Sequence, residues 1–222
     1  MPRITAATNA AQRENTQRAI LDSFGRLLYE RGLPGLTMTH VAKNAGIGRT
    51  AVYNYFADMG ELLIAYALDE TERFLSDLRQ ALEGVANPID QLAVYVRLQM
   101  EDLTRRHLPP GPAMRSVLSP EAFAQLGAHV QELQAVLAGI LRAAIDQNYL
   151  PEQDIHPLAQ LVHGSLSSSA DRSGEAEDPQ ALEEQFEKTI RFIQRGVGAR
   201  FDEQGLPIRL DGTSDRQLRA AS

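Results

Sequence analysis

One short turn constrains the fold of this chain more than any other feature. It lies in residues 40–56, which read HVAKNAGIGRTAVYNYF. The pattern predicts a short helix through Asn44 and a second from about Gly48 to Tyr55. Gly46 lies in the corner between them, where glycine adopts a positive φ angle at little cost. Two short helices joined by such a turn are typical of a helix-turn-helix unit.

The rest of the chain is also predicted to be helical. Apolar residues recur every three or four positions in each longer segment, and no alternating strand pattern occurs, which indicates an all-α fold. The predicted helices cover about residues 13–30, 58–84, 88–107, 120–144, 154–170 and 178–199. Residues 1–12 are expected to be a flexible arm, and residues 201–222 a flexible tail that is too polar to fold alone.

Charge is distributed unevenly along the chain. The net charge is −7, which by itself argues against a polyanion partner. Residues 1–56, however, contain seven Lys or Arg against three Asp or Glu, while the remainder contains 15 basic and 26 acidic residues. A basic head on an acidic body suits a polyanion bound at one end only.

Composition also limits the cellular compartment that is expected for the protein and the kinds of covalent and metal chemistry it can carry. The chain has no cysteine, which excludes disulfides and thiolate metal sites. No apolar run approaches the roughly 18 residues that a membrane span needs, and the first residues lack the apolar core of a signal peptide. A cytoplasmic protein without membrane contact is therefore expected.

The second short helix carries the candidate reading residues. In a helix-turn-helix unit the N-terminal residues of the second helix meet base edges in the major groove, and here they are Gly48, Arg49 and Thr50. Arginine pairs bidentately with guanine, threonine contacts several bases, and glycine lets the backbone approach closely. Tyr53 and Tyr55 can contact phosphates through their hydroxyls. For either tyrosine, helix packing is the alternative role.

The stretch TMTHVAKNAGIGRTAVYNYFADMGELL resembles the DNA-binding region of the TetR family of transcriptional regulators. Positions that match the family pattern are Thr37, Val41, Ala42, Ala45, Gly46, Ile47, Val52, Tyr53, Tyr55, Phe56 and Leu62 or Leu63. Three positions depart from it. Gly48 replaces a common serine, Thr50 a common glycine, and Met59 a lysine that usually reaches a phosphate.

The resemblance implies a homodimer that binds an operator in double-stranded DNA and releases it when a small-molecule effector, unidentified here, is bound. Residues 13–57 would be the DNA-binding domain and residues 58–200 the effector-binding and dimerisation domain. Contacts with DNA would come from Thr37, Thr39, Lys43, Gly48, Arg49, Thr50, Tyr53, Asn54 and Tyr55. No cofactor, metal or catalytic residue is expected.

The same resemblance implies a pocket and an interface. Candidate pocket residues are Tyr95, Gln99, Met100, Leu103, Met114, Leu118, Phe123, Leu126, Val130 and Leu133, although the same side chains could form a solid core. The last two long helices would form the dimer interface, with Leu158, Leu161, Val162, Ser165, Leu166, Phe186, Ile190 and Ile193 as its candidates. The alternative is that these apolar stripes pack only within one subunit.

Parts of the sequence also bear on three other classes of function. A nucleotide-binding loop at residues 46–51 would need a third glycine where Ala51 stands, and a preceding strand. A metal-dependent sensor or enzyme would use His129, His156 or His163, but no two of these histidines have the helical spacing of a ligand pair. The third is a scaffold of the same fold that acts through protein partners and contacts DNA weakly or nonspecifically, which Met59 and the acidic body favour slightly.

Overall fold

A computed structural model of the chain describes residues 6–105, 118–173 and 178–213. In these ranges the helices are α1 (Ala6–Arg31), α2 (Met38–Asn44), α3 (Arg49–Val52), α4 (Met59–Leu82), α5 (Pro88–Arg105), α6 (Pro120–Asp146), α7 (Ile155–Ser173) and α8 (Pro179–Gly196). Two short strands, β1 (Arg200–Phe201) and β2 (Pro207–Ile208), follow and pair antiparallel. No helix of the described ranges has the length and apolar character needed to cross a membrane.

The chain divides into two compact units, Met1–Glu72 with Arg106–His129, and Arg73–Arg105 with Val130–Ser222. The first unit has its own core, in which α2 packs against both α1 and α3. Its fully or nearly fully buried side chains include Ile20, Phe24, Leu28, Val41, Val52, Phe56, Leu62 and Leu63. The second unit has a separate core built from the last part of α4, from α5, from the last part of α6, and from α7 and α8.

The predicted corner is present and its hydrogen bonds explain its shape. Gly46 has a φ of +68°. The N–H of Ile47 donates to the carbonyl of Ala42 at 3.0 Å, and the N–H of Gly46 donates to the carbonyl of Lys43 at 3.3 Å. This is a Schellman ending, which satisfies the last carbonyls of α2 and turns the chain sharply into α3.

Replacing the glycine in the corner is expected to destabilise the first unit. A Cβ meets no atom within 4 Å at Gly46, so the cost of Gly46→Ala comes from the left-handed backbone, about 1–2 kcal/mol. Gly48 has a φ of −66° and open space around it, and Gly48→Ser is therefore the matched control. Hydrogen exchange of the buried α1 amides should quicken in the first variant only. Equal exchange in both variants would contradict this explanation.

The helix starts follow from capping side chains close in sequence. Thr37 caps α2, because its hydroxyl accepts from the N–H of His40 at 3.3 Å. Asp58 accepts from the N–H of Glu61 at 2.8 Å, and the Glu61 carboxylate accepts in return from the N–H of Ala57. Asn87 and Asp178 accept in the same manner from the N–H groups of Ile89 and Gln180, the second residues of α5 and α8. Each satisfies a donor that the first helical turn leaves free.

Two element boundaries differ from the sequence-based expectation. Residues 6–12, expected to be an arm, are helical and form the start of α1. The second short helix ends at Val52 rather than at Tyr55. Beyond it, Asn54 and Tyr55 donate to carbonyls three residues back, at 3.1 and 2.9 Å. These tighter bonds close the end of the helix as a 3₁₀-type turn.

The prediction of a tail without structure from residue 201 onward is wrong for residues 201–213. These residues form the hairpin of β1 and β2 and a following turn within the second unit. Arg209 donates to the carbonyl of Gln147 at 2.7 Å and lies 5.0 Å from the ring centre of Tyr149. Arg191 lies 4.7 Å from the ring centre of Phe201. Long-range contacts thus order a segment whose own sequence is polar.

Most of the predicted dimer-interface residues belong instead to the core of their own subunit. Leu158, Val162, Leu166, Phe186, Ile190 and Ile193 are all buried in the second unit. Their assignment to a subunit interface is therefore wrong, because the apolar faces of α7 and α8 are covered by the same chain. Ser165 is half-buried and donates to the carbonyl of Leu161 at 2.9 Å. Leu161 itself is 69% exposed.

Candidate nucleic-acid interface

The predicted DNA contacts lie on the solvent-facing side of the helix-turn-helix. Val41, Ala42, Val52 and Phe56 point into the core of the first unit. The opposite side of the two helices exposes Thr37, Thr39, Lys43, Gly48, Arg49, Thr50, Tyr53 and Asn54. One amphipathic pattern thus buries the residues that hold the turn and exposes those predicted to contact DNA.

The start of α3 presents donors that the protein does not use itself. Arg49 and Thr50 are the first two residues of α3 and are exposed. Within the described ranges, neither Arg49 nor Lys43 has an acidic partner. The N-cap residue, Gly48, makes no side-chain hydrogen bond, and the Arg49 side chain is exposed. Such an arrangement suits an anionic partner.

The two tyrosines have different environments. Tyr53 is 44% exposed, and its side chain extends from the end of α3 into solvent. Tyr55 is half-buried and packs against the core of the first unit. The guanidinium carbon of Arg13 lies 5.7 Å from the centre of the Tyr55 ring. Tyr55 therefore has a packing role in addition to any contact with DNA.

Arg13 was not among the predicted site residues, although it counted toward the basic head. Its position beside Tyr55 brings a cation from α1 next to the turn that follows α3. No local pattern indicates this contact, because Arg13 and Tyr55 are far apart in sequence. Only the packing of α1 against the helix-turn-helix brings them together.

The predicted pocket residues are divided between the two units. Tyr95, Gln99 and Met100 are buried in the second unit, and Leu103 and Leu133 pack against the same core. Leu118 and Phe123 belong to the first unit, where Leu118 is buried and Phe123 packs against the core. Met114 lies outside the described residues, as do the side chains of Leu126 and Val130.

A family model matches the part of the chain that contains this interface. Residues 20–66 match the model described as "Bacterial regulatory proteins, tetR family". The matched residues begin in α1, include the corner at Gly46 and the whole of α3, and end in α4.

Solved structures share the fold over most of the chain. The regulator FadR from Bacillus subtilis, in complex with stearoyl-CoA, is 17% identical, with a TM-score of 0.69 over 81% of this chain and 98% of that one. The TetR family regulator PfmR from Thermus thermophilus is 23% identical, with a TM-score of 0.66 over 80% and 98%. A regulator from Saccharomonospora viridis, in complex with choline, is 16% identical, with a TM-score of 0.71 over 83% and 98%.

These comparisons agree with the geometry of the first unit. The family match covers the helix-turn-helix and its supporting helices, where the exposed cations and hydroxyls lie. The structural matches extend the same helical fold through the second unit. Residues 20–66 are thus similar to the bacterial regulatory proteins of the tetR family, and the chain shares its fold with solved transcriptional regulators.

Proposed function

We propose that the protein is a homodimeric, ligand-responsive repressor that binds an inverted-repeat operator. The observation that carries this proposal is the exposed start of α3, where Arg49 and Thr50 project from a rigid corner with no partner in the described part of the chain. A side chain held on a short, well-anchored helix keeps its donors free for base edges.

Each exposed residue has a proposed role. Arg49 and Thr50 read bases, with a smaller contribution from Asn54, and Gly48 lets the backbone approach the duplex. The sugar-phosphate backbone is held by Thr37, Thr39, Lys43, Tyr53 and Tyr55. Contacts of the second kind fix the register of the protein on DNA without reading its sequence.

Dimerisation is proposed to use the outer faces of α7 and α8. Each outer face carries one large exposed apolar side chain, Leu161 at 69% and Phe192 at 67% exposure. Gly164 and Gly196 follow them by three and four residues and have open space at the Cβ position. A large side chain beside a glycine allows two helices to approach closely. Two copies joined this way would present two reading helices to one duplex.

Ligand control is supported by regulators that share this fold. Two of them have been solved with choline and with stearoyl-CoA bound. In this protein, residues 58–200 are proposed to bind an effector and favour a state whose two reading helices no longer match the half-site spacing. An effector shifts this equilibrium only through its different affinities for the two states.

Selection of bound duplexes from a random DNA pool tests the proposal. Purified full-length protein at near-physiological salt is expected to enrich an inverted repeat, with half-sites one helical turn or more apart. Recovery of DNA without a preferred sequence would contradict sequence reading. It would favour the alternative of a scaffold that acts through protein partners.

The first residue of α4 is expected to affect salt dependence. Met59 is half-buried and packs against the core of the first unit. In Met59→Lys, the alkyl part of lysine can cover the same surface while the ammonium reaches solvent. One added phosphate contact in each half-site should steepen the log–log salt dependence of operator binding by about 0.9, or roughly 1.8 for the dimer. Met59→Leu is the control and should leave the slope unchanged. If the slope is unchanged in both variants, residue 59 does not contact the DNA backbone.

A further inference from the structure

Three polar atoms in the core of the second unit have no hydrogen-bond partner among the described residues. They are the hydroxyl of Tyr95, Oε1 of Gln99 and Nε2 of His163. Tyr95 is 0% exposed and Gln99 is 8% exposed. Buried polar atoms in native proteins almost always have a partner, so three in one place require an explanation.

The rings of Tyr95 and His163 lie next to each other between α5 and α7, and Gln99 is one helical turn from Tyr95 on α5. Tyr95 and Gln99 are four residues apart on α5 and therefore lie on one face of that helix. The ring of His163, on α7, is 6.2 Å from the Tyr95 ring, centre to centre, with an interplanar angle of 76°. An edge-to-face arrangement of this kind holds the two rings in a fixed relation.

Other amides in the same unit are satisfied. Nε2 of the buried Gln194 donates to the carbonyl of Ile89 at 3.0 Å, and Nε2 of Gln153 donates to the carbonyl of Val197 at 2.9 Å. The core therefore does provide partners for its polar side chains elsewhere. These two amides contrast with Oε1 of Gln99, which has no such partner.

Burial disfavours charge on Tyr95 and on His163. Burial raises the pKa of the Tyr95 hydroxyl and lowers the pKa of the His163 imidazole, so burial favours the neutral form of each. Arg97, the cation nearest in sequence, hydrogen-bonds to Glu183 and Glu187. An ion placed here would lose its hydration and gain no countercharge from these groups. A neutral polar group that finds hydrogen-bond partners has a much smaller desolvation cost.

We propose that Tyr95, Gln99 and His163 bind the hydroxyl group of a neutral, mainly apolar effector. The ligand hydroxyl donates to Oε1 of Gln99, and its oxygen accepts from the Tyr95 hydroxyl and from the Nε2–H tautomer of His163. One hydroxyl group thus satisfies all three atoms. The body of the ligand lies against apolar neighbours that include Met100, an unbranched side chain that adapts readily to new shapes. This inference rests on the proposed function, because it names the class of effector.

Three matched probes test the chemistry on full-length protein without DNA. They are 4-propylphenol, which carries a neutral hydroxyl, 4-propylbenzoate, which carries a charge, and propylbenzene, which has no polar end. Calorimetry is expected to show binding of the phenol, binding of propylbenzene at least roughly tenfold weaker, and no binding of the benzoate. Absence of phenol binding, or equal binding of all three probes, would overturn the proposal.

Two tyrosine variants separate recognition from folding. Tyr95→Phe removes an unpartnered buried hydroxyl, so the unfolding midpoint should stay the same or rise while affinity for 4-propylphenol falls at least roughly tenfold. Tyr149, also fully buried in this unit, is the control, and Tyr149→Phe should leave phenol affinity unchanged. Phenol binding that survives Tyr95→Phe would show the assignment to be wrong. Success in the DNA selection with failure of the probes would reject this inference alone and leave the proposed function intact.

Discussion

A chain that carries aspartate at both Leu161 and Phe192 is expected to be a monomer that binds its operator at least roughly a hundredfold more weakly. Linking two reading heads in one particle raises apparent affinity by about 10²–10⁴, and separated heads lose that gain. Both side chains are about two-thirds exposed, at 69% and 67%, so the substitutions do not disturb the core of the subunit. Sedimentation of the purified variant gives the mass, and titration of operator DNA gives the affinity.

Leu206 offers a matched control for this double variant. It is an apolar residue of the C-terminal hairpin, 47% exposed, and lies outside the proposed interface. Leu206→Asp should remain a dimer with unchanged operator binding, although it places a similar new charge on an exposed apolar side chain. A double variant that sediments as a dimer and binds normally would show that the outer faces of α7 and α8 do not join the subunits.

The second large effect is expected from Arg49→Ala. Loss of a bidentate arginine–guanine pair costs about 1–3 kcal/mol. A dimer makes the contact in both half-sites, which are far enough apart for the losses to add to roughly 2–6 kcal/mol. Preference at one base pair of each half-site should relax at the same time. Binding to the operator and to all single-base variants of one half-site, each measured at fixed salt, gives both quantities.

Tyr53→Phe is the companion to the arginine variant. Tyr53 is exposed at the end of α3, and loss of its hydroxyl should weaken binding to every sequence to a similar extent, because a phosphate contact carries no sequence information. If Arg49→Ala instead weakens all sequences equally, Arg49 contacts phosphate and not a base. If neither change affects binding, the surface that contacts DNA lies elsewhere on the first unit.

Sequence was sufficient for features that depend on neighbouring residues. The break at Gly46 and the helix starts near residues 58 and 88 depend only on residues a few positions away, which are Gly46 itself and the capping side chains of Asp58 and Asn87. A side chain that satisfies the first N–H groups of its own helix does so largely independently of the rest of the fold. The same holds for the exposed and buried sides of the helix-turn-helix, which follow from helical periodicity.

Sequence was not sufficient where distant residues decide the outcome. Helical periodicity identified the apolar faces of α7 and α8 but could not show that the same chain covers them, so Leu158 and Ile190 were assigned to the wrong surface. The hairpin has strands of two residues, too short for an alternating pattern. Sequence also could not predict that atoms of Tyr95 and His163 lack a hydrogen-bond partner, because a missing hydrogen bond is a property of the packed core.

The hairpin has a consequence for how this protein can change during evolution. The N–H of Leu210 donates to the carbonyl of Asn148, whose φ is 63°, and a Cβ at Gly198 would come within 2.9 Å of the Pro151 ring. The segments 147–151, 196–199 and 200–213 therefore fit one another as a set. We expect substitutions in any one of them to be accepted only with compensating changes in the other two, so that related sequences should co-vary across these three segments.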